Sequence, residues 1–385
     1  MAVAVRIAPS LLERLERLGQ AARHDLSCAC GPSEGRRRGA DDRWIYPAVL
    51  PSGERIPLLK VLQEGRCDRG CRYCAQAHGG VGDATSFTPE ELHRLFTTLR
   101  EAGRVAGLFL SSAVRGGAVA SMDRMLATAE LLRGGGFRGY LHLKLIPGCG
   151  ADQVERAMQL ATRVSVNLEA PTARHLARVA PSKHLERHLL AAMRQVAAAE
   201  TAGRFARSGQ TTQFVVGAAD ETDRDLGRTS SWLYRHLRLR RVYYSAFQPV
   251  AGTALGDRPP TPPLREHRLY QMDFLLRRYG FAVDEIPFDG EGALPRDRDP
   301  KTAWAEAHPE RFPVEVNTAP ATELLRVPGI GPRAAARLVE LRRQESLRSL
   351  AALRAAGAAW RVAAPFLLLD GRRGAGVQLE LTATG

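Results

Sequence analysis

The stretch Gly65-Arg66-Cys67-Asp68-Arg69-Gly70-Cys71-Arg72-Tyr73-Cys74 sets three cysteines in one short loop, with three residues between the first pair and two between the second. A loop of this length can bring three thiolates onto three corners of one iron–sulfur cube, which leaves the fourth iron without a protein ligand. An open metal position is a place for substrate, by the logic that separates open catalytic zinc from closed structural zinc. Zinc is the competing reading. It wants a fourth nearby Cys or His, often in C-x2-C pairs, and His78 is the close candidate here, followed by loop-like Gly79-Gly80.

Outward from the loop, the chain alternates strand and helix. Ile56 to Leu62 reads as a first strand feeding the cysteines. Thr88-Pro89-Glu90-Glu91 is a capping box with proline at the first helical position. Gly107 to Leu110 is a second strand ending at Ser111-Ser112, and Ser121 opens a helix that stops at Gly134-Gly135-Gly136. Tyr140 to Ile146, Val164 to Leu168, Gln213 to Val216 and Arg241 to Phe247 read as four more strands. Helices over Asp152 to Ala161, Ser182 to Ala202, and one capped by Thr222 with Asp225 lie between them. Six such units predict an α/β fold, a partial (β/α)6 TIM-like barrel with its chemistry on the loops after the strands. Upstream, Leu11 to Ala22 reads as an amphipathic helix. Downstream, Leu264 to Tyr279 reads as a helix and Phe281 to Ile286 as a short strand. The expected domains are an N-terminal extension over 1–50, the barrel over 51–286, a linker over 287–313 and a small all-α module over 314–385.

The 385 residues are 44% apolar and 25% charged, an ordinary globular composition. There is no run of 18 apolar residues, so no membrane span is expected, and the first residues lack a secretory pattern. A cytoplasmic protein is expected, which the clustering of cysteines as ligands rather than as a disulfide framework supports. Net charge is +14 and the pI about 10.1, a balance that favours a polyanionic partner. The cations are almost all arginine; Lys60, Lys144, Lys183 and Lys301 are the lysines. Cys28 and Cys30 could join Cys149 in an auxiliary metal site, or serve as small buried residues.

Near the C-terminus, Val327-Pro328-Gly329-Ile330-Gly331-Pro332 makes a tight hairpin between a helix ending at Leu325 and another from Arg333 to Arg343. This resembles a helix-hairpin-helix motif. Its glycines, Gly329 and Gly331 around Ile330, let backbone N–H groups reach a phosphate oxygen, and Arg333 and Arg337 add charge. Such a contact reads phosphate, not base identity. Leu347 to Ala358 looks like a second, degenerate unit that packs against the first. The tail from Val314 holds ten arginines against six acidic residues, so basicity is not concentrated there.

The cysteine spacing, with Tyr73 before the third cysteine, resembles the radical S-adenosylmethionine (radical SAM) superfamily, whose cores are likewise partial six-unit barrels. The resemblance implies a [4Fe-4S] cluster on Cys67, Cys71 and Cys74, with S-adenosyl-L-methionine (SAM) chelated to the free iron. It implies reductive cleavage of SAM to a 5′-deoxyadenosyl radical, fed by an electron donor such as flavodoxin or ferredoxin. The backbone beside Tyr73 would face adenine. Ser111 and Ser112 stand where the superfamily often has a glycine-rich turn gripping the methionine amino group, although here that turn runs Ser111 to Gly117. Asn167 and Glu169 point the same way along the fourth strand and can hydrogen-bond a ribose diol or an ammonium. Lys144 can pair with a carboxylate, and Gly217 lets backbone approach the adenine. Tyr243, Tyr244 and Cys149 are candidate hydrogen-atom donors, with packing as the alternative role.

Together, core and tail resemble a family of DNA modification and repair radical SAM proteins carrying a C-terminal helix-hairpin-helix module. The likeness spans Ala22 to Ser27, Gly107 to Ser112, Val164 to Pro171, Arg241 to Pro249 and Phe312 to Arg337. That family implies DNA as partner and association with a DNA-glycosylase-like protein. An RNA- or tRNA-modifying enzyme, or a non-catalytic iron–sulfur DNA-binding sensor, are the alternatives.

Overall fold

The computed structural model describes residues 9–22, 44–49, 54–77, 85–203 and 206–373. The stretch His24 to Ser27, with Cys28, Cys30 and His78, lies outside these residues. The chain divides into two units, residues 1–221 with 232–266, and residues 222–231 with 267–385.

The first unit opens with α1 (Leu11–Ala21), started by a capping box in which Ser10 and Glu13 bond each other's backbone N–H. The strands β1 (Ile45–Val49) and β2 (Arg55–Leu62) follow, then α2 (Pro89–Glu101), β3 (Gly107–Ser111), α3 (Ala118–Gly134), β4 (Tyr140–Lys144) and α4 (Ala151–Leu160). Next come β5 (Arg163–Ser165), α5 (Ala173–Val179), α6 (Ala191–Thr201), β6 (Gln210–Val216) and β7 (Arg241–Ala246); α7 (Asp223–Leu237), before β7, and α8 (Pro263–Arg278), after it, are divided between the two units. The seven strands form one curled sheet in sequence order. The strands β2 to β7 are parallel and β1 is an antiparallel edge. This is the partial barrel that the strand–helix alternation predicts. The strands β3 and β6 are buried along their whole length, as parallel strands covered by crossover helices must be.

The predicted capping box on α2 is present. Thr88 N donates to Glu91 at 3.0 Å and Glu91 N to the Thr88 hydroxyl at 3.2 Å. The Glu91 carboxylate also takes both arms of Arg14, at 2.9 and 2.7 Å, which ties α1 to α2.

Four local expectations need correction. The strand β1 lies in what was read as an N-terminal extension of helix and loop; its Pro47 is tolerated because β1 is an edge. Helix α3 starts at Ala118 rather than Ser121. The Ser121 hydroxyl turns back to accept from Arg115 N at 2.9 Å and donate to the Gly117 carbonyl at 2.9 Å, so it binds the preceding turn instead of capping. The helix expected from Ser182 begins as a π-turn over Leu185–Leu190, capped by His184, before α6. Phe281 to Ile286 is not a strand: Val283–Glu285 is a 3-10 turn, and its apolar alternation buries Phe281, Val283 and Ile286.

The second unit contains α9 (Pro300–Ala307), β8 (Val314–Glu315), α10 (Ala321–Leu324), α11 (Pro332–Gln344), α12 (Leu350–Ala355), α13 (Trp360–Ala363), β9 (Leu367–Leu369) and β10 (Arg372–Arg373). Asp299 caps α9 by accepting from Lys301 N at 3.0 Å and Thr302 N at 3.1 Å. The helices α10 to α13 share one core around Leu324, Val327, Ile330, Leu338 and Leu353. A small sheet in the order β10-β9-β8 accompanies this helical region, which the sequence pattern did not include.

Replacing Thr88 with alanine removes one half of the α2 capping box. It is expected to cost about 1 kcal/mol, read as a lower midpoint in denaturant unfolding with an unchanged slope.

Candidate functional site

The cysteine loop is fixed by backbone hydrogen bonds before any side chain is considered. Cys67 N donates to the Gln76 carbonyl at 2.8 Å, Asp68 N to that of Val114 at 2.6 Å and Arg72 N to that of Val179 at 2.8 Å, while Leu255 N donates to the Arg72 carbonyl at 3.0 Å. These bonds reach the turn after β3, the end of α5 and the chain beyond β7. The Asp68 carboxylate accepts from Gly116 N at 2.7 Å, which pins the loop to the same β3 turn. That turn needs the left-handed backbone of Gly116 and Gly117, with φ of 71° and 97°.

Cys67, Cys71 and Cys74 all face one cavity of about 420 Å³ at the C-terminal ends of the strands. Tyr73, Ser111, Ser112, Lys144, Asn167 and Glu169 line it too. Four expected residues, Gly217, Tyr243, Tyr244 and Cys149, do not. Gly217 has φ of 86°, and a Cβ there would meet the Thr261 hydroxyl at 2.0 Å, so its bareness serves packing onto Thr261. Tyr244 is fully buried beside Phe214, with ring centroids 6.2 Å apart. Cys149 sits in the turn after β4, where its N–H donates to the Ile146 carbonyl at 3.0 Å and burial pushes its thiol up to about 11.

The cavity's electrostatic centre is a pair that sequence reasoning only half found. Glu169 adopts φ of 64°, a left-handed backbone unusual for a residue with a side chain. Its N–H donates to the Gln213 carbonyl at 3.0 Å and its carbonyl accepts from Val215 N at 2.8 Å, so β6 holds it in that conformation. The Lys183 ammonium donates to its carboxylate at 2.7 Å, with side-chain exposures of 12% and 3%. Burial alone would lower the Lys183 ammonium, but the charge and hydrogen bond of Glu169, together with the nearby Cys71 and Cys74, outweigh it and hold the group above its ordinary range. Burial likewise raises the Tyr73 phenol well above its usual value, helped by Glu169. Lys183 was not singled out: the sequence pattern sets it inside a helix from Ser182, whereas it lies just before the π-turn. Its signal was that it is a lysine in a chain of arginines.

The thiols suit an iron–sulfur cluster. None is in a disulfide. Cys67 Sγ accepts N–H groups from Val114 at 3.3 Å and Arg69 at 3.4 Å, and such bonds support charge on a ligating sulfur. Burial raises Cys71 and pushes Cys74 up to about 12, so both are protonated at neutral pH and shed protons when metal binds. Among the described residues, no three His, Cys, Asp or Glu side chains close around one ion; the corners of a cluster need no such closure.

The radical SAM superfamily profile matches residues 65–233, which hold all three cysteines and the Glu169–Lys183 pair. The chain carries a radical SAM domain. Such domains bind a [4Fe-4S] cluster and SAM. The helix-hairpin-helix motif matches residues 311–355. No curated protein matches the chain. Among solved structures, the FeFe-hydrogenase maturase HydG from Carboxydothermus hydrogenoformans is similar at 12% identity and a TM-score of 0.45, over 57% of this chain and 51% of that one. The radical SAM methyltransferase TsrM from Kitasatospora setae is similar at 14% identity and a TM-score of 0.39, over 55% of this chain and 39% of that one. The chain thus covers about half or less of either protein. No helix among the described residues is long and apolar enough to cross a membrane.

Outside the radical SAM domain, the second unit holds the glycine hairpin. Gly329 has φ of 77°, and a Cβ on it would meet the Ala359 carbonyl at 2.6 Å. Its own carbonyl accepts from Ala359 N at 2.9 Å, so the degenerate second repeat does pack against the first. A Cβ on Gly331 would meet only the Tyr279 hydroxyl, at 3.3 Å. Among the described residues, the N–H of Gly331 has no protein acceptor. Arg333 and Arg337 are exposed on α11.

Replacing Lys183 with methionine leaves Glu169 buried without its cation. The apoprotein is expected to lose about 3 kcal/mol, measured by denaturant unfolding. Adding Glu169→Gln should restore part of it, and a simple sum of the two single effects would show the pair uncoupled.

Proposed function

We propose that this protein is a radical SAM enzyme that acts on a nucleic acid, in DNA repair or modification. The observation that carries the reading is one cavity shared by three thiols and a buried Glu169–Lys183 pair. Cys67, Cys71 and Cys74 would hold the cluster. When bound, cluster and SAM together supply one-electron cleavage of the sulfonium and a radical that abstracts hydrogen.

The chain's own residues do the rest. Lys183 is a cation already oriented in the cavity and suits the SAM carboxylate. Glu169 and Asn167 suit its ammonium or ribose hydroxyls. Arg17, Arg69, Lys144 and Lys183 line the cavity against Glu169 alone among acids, a field that favours an anionic substrate. Apolar walls from Leu62, Val114, Ile146 and Phe247 limit water near the reacting atoms.

Nucleic acid enters the reading through the second unit. The hairpin's open Gly331 N–H and the nearby Arg333 and Arg337 suit backbone phosphates. A pI of about 10.1 agrees. A small acidic electron carrier such as flavodoxin or ferredoxin suits the basic surface, and the cytosol is the expected compartment.

After anaerobic reconstitution with iron and sulfide, reduced protein is expected to release 5′-deoxyadenosine from SAM. The Cys71→Ala variant should give none. DNA affinity should fall with salt, with a log–log slope of about −0.9 per phosphate neutralised. Absence of SAM cleavage under strong reductant would end the enzymatic reading, and a flat salt response would remove DNA. Tighter binding of matched RNA would move the substrate to RNA.

A further inference from the structure

Lys301 is a buried cation with no role in the chemistry above. It is 7% exposed, on the first turn of α9. Its ammonium donates to the Ile330 carbonyl at 2.6 Å, and its ring neighbour is Tyr279, with Nζ 4.5 Å from the ring centroid. The Ile330 carbonyl belongs to the same peptide unit as the Gly331 N–H. A trans peptide is planar, and its C=O and N–H point in opposite directions. Anchoring that carbonyl on a buried ammonium therefore turns the Gly331 N–H away from Lys301. It also polarises the unit, which strengthens the N–H as a donor.

We propose that Lys301 is a positioning residue for phosphate: it clamps the Ile330–Gly331 peptide so that the Gly331 N–H stands ready for a nucleic-acid phosphate. This rests on the nucleic-acid reading of the hairpin and adds the side chain that prepares it. The hairpin glycines permit the approach, and the lysine supplies orientation and charge.

The clamp also titrates. Burial pulls the Lys301 ammonium down to about 7, with Asp299 opposing and Arg326 assisting. The groups facing it are Tyr279 at the end of α8, Asp299 at the cap of α9, and Arg326, which is itself paired with Glu285 at 2.6 Å. His308, at the far end of α9, stacks on Trp304 instead. Between pH of about 7 and the ordinary lysine value of 10.5, the folded protein has shed a proton that the unfolded chain keeps. A phosphate bound across one peptide favours the charged form and draws that proton back. Affinity for DNA therefore falls as pH rises through about 7.

The test uses the full, cluster-loaded chain and a fluorescent duplex at fixed salt, from about pH 6 to about pH 9. Wild type should weaken across that range. Lys301→Met should bind about tenfold more weakly at the acid end, the order expected for one lost charge-assisted hydrogen bond, and show no pH step. Lys301→Arg keeps its charge throughout, so its step should also vanish. A flat wild-type profile, or a wild-type step surviving in either variant, overturns the proposal. Hydrogen exchange of the Gly331 amide, compared at one pH, separates this from the nucleic-acid reading. Slower exchange in Lys301→Met, expected when an unbonded amide loses the cation that polarises its peptide, supports the clamp even if wild type binds no DNA, and equal exchange sinks it.

Discussion

Three thiols can share one cluster only if the loop that carries them is held from outside itself. Here the restraints come from residues distant in sequence: Val114 after β3, Val179 at the end of α5 and Leu255 beyond β7 each exchange a backbone hydrogen bond with the loop. A ten-residue segment rich in glycine and arginine has no means of ordering itself, since fixing each residue costs about 1–2 kcal/mol of conformational entropy. The curled sheet therefore comes first and the ligand set second. Cluster loading then adds its binding energy to a site the parallel strands have already arranged. The left-handed Glu169 fits the same logic, because β6 bonds both its N–H and its carbonyl.

The lysines extend this argument. Arginine carries nearly all the positive charge, and each of the four lysines occupies a special place. Lys60 is 2% exposed, with its ammonium 4.0 Å from the Tyr46 ring centroid. Lys144 and Lys183 line the cavity, and Lys301 is buried under the hairpin. A guanidinium is a broad planar fork that stays charged; an ammonium is compact and its pKa responds to its surroundings. Lys183 and Lys301 show the two directions of that response. A carboxylate partner holds the first up, and burial without a bonded carboxylate draws the second down.

What the sequence made legible was local. Cysteine spacing, capping boxes at Thr88 and Thr222, and buried parallel strands are all encoded within a few residues, and each is present. Strand β1 was not read from the sequence; it contains Pro47, which a strand accepts only at an edge, and edge position is not visible in the sequence. Lys183 reads as one residue of a helix starting at Ser182; its place at the cavity depends on Glu169, which is distant in sequence. Gly217 read as a site residue because strand ends carry function, and Tyr244 because a phenol can donate a hydrogen atom. Which way each faces is decided by partners, Phe214 and Thr261, that are far away in sequence.

The hairpin shows why two glycines in one motif need not do one job. Gly329 is bare because the carbonyl of Ala359 occupies the space a side chain would need, and its own carbonyl accepts the Ala359 N–H. Gly331 meets no backbone, only the tip of Tyr279. The first glycine is thus a joint with the second repeat, and the second is an opening. This also accounts for the loss of the Gly-x-Gly pattern in that second repeat. Its turn at Gly357 has open space around it, while the residues just after it are spent on receiving Gly329.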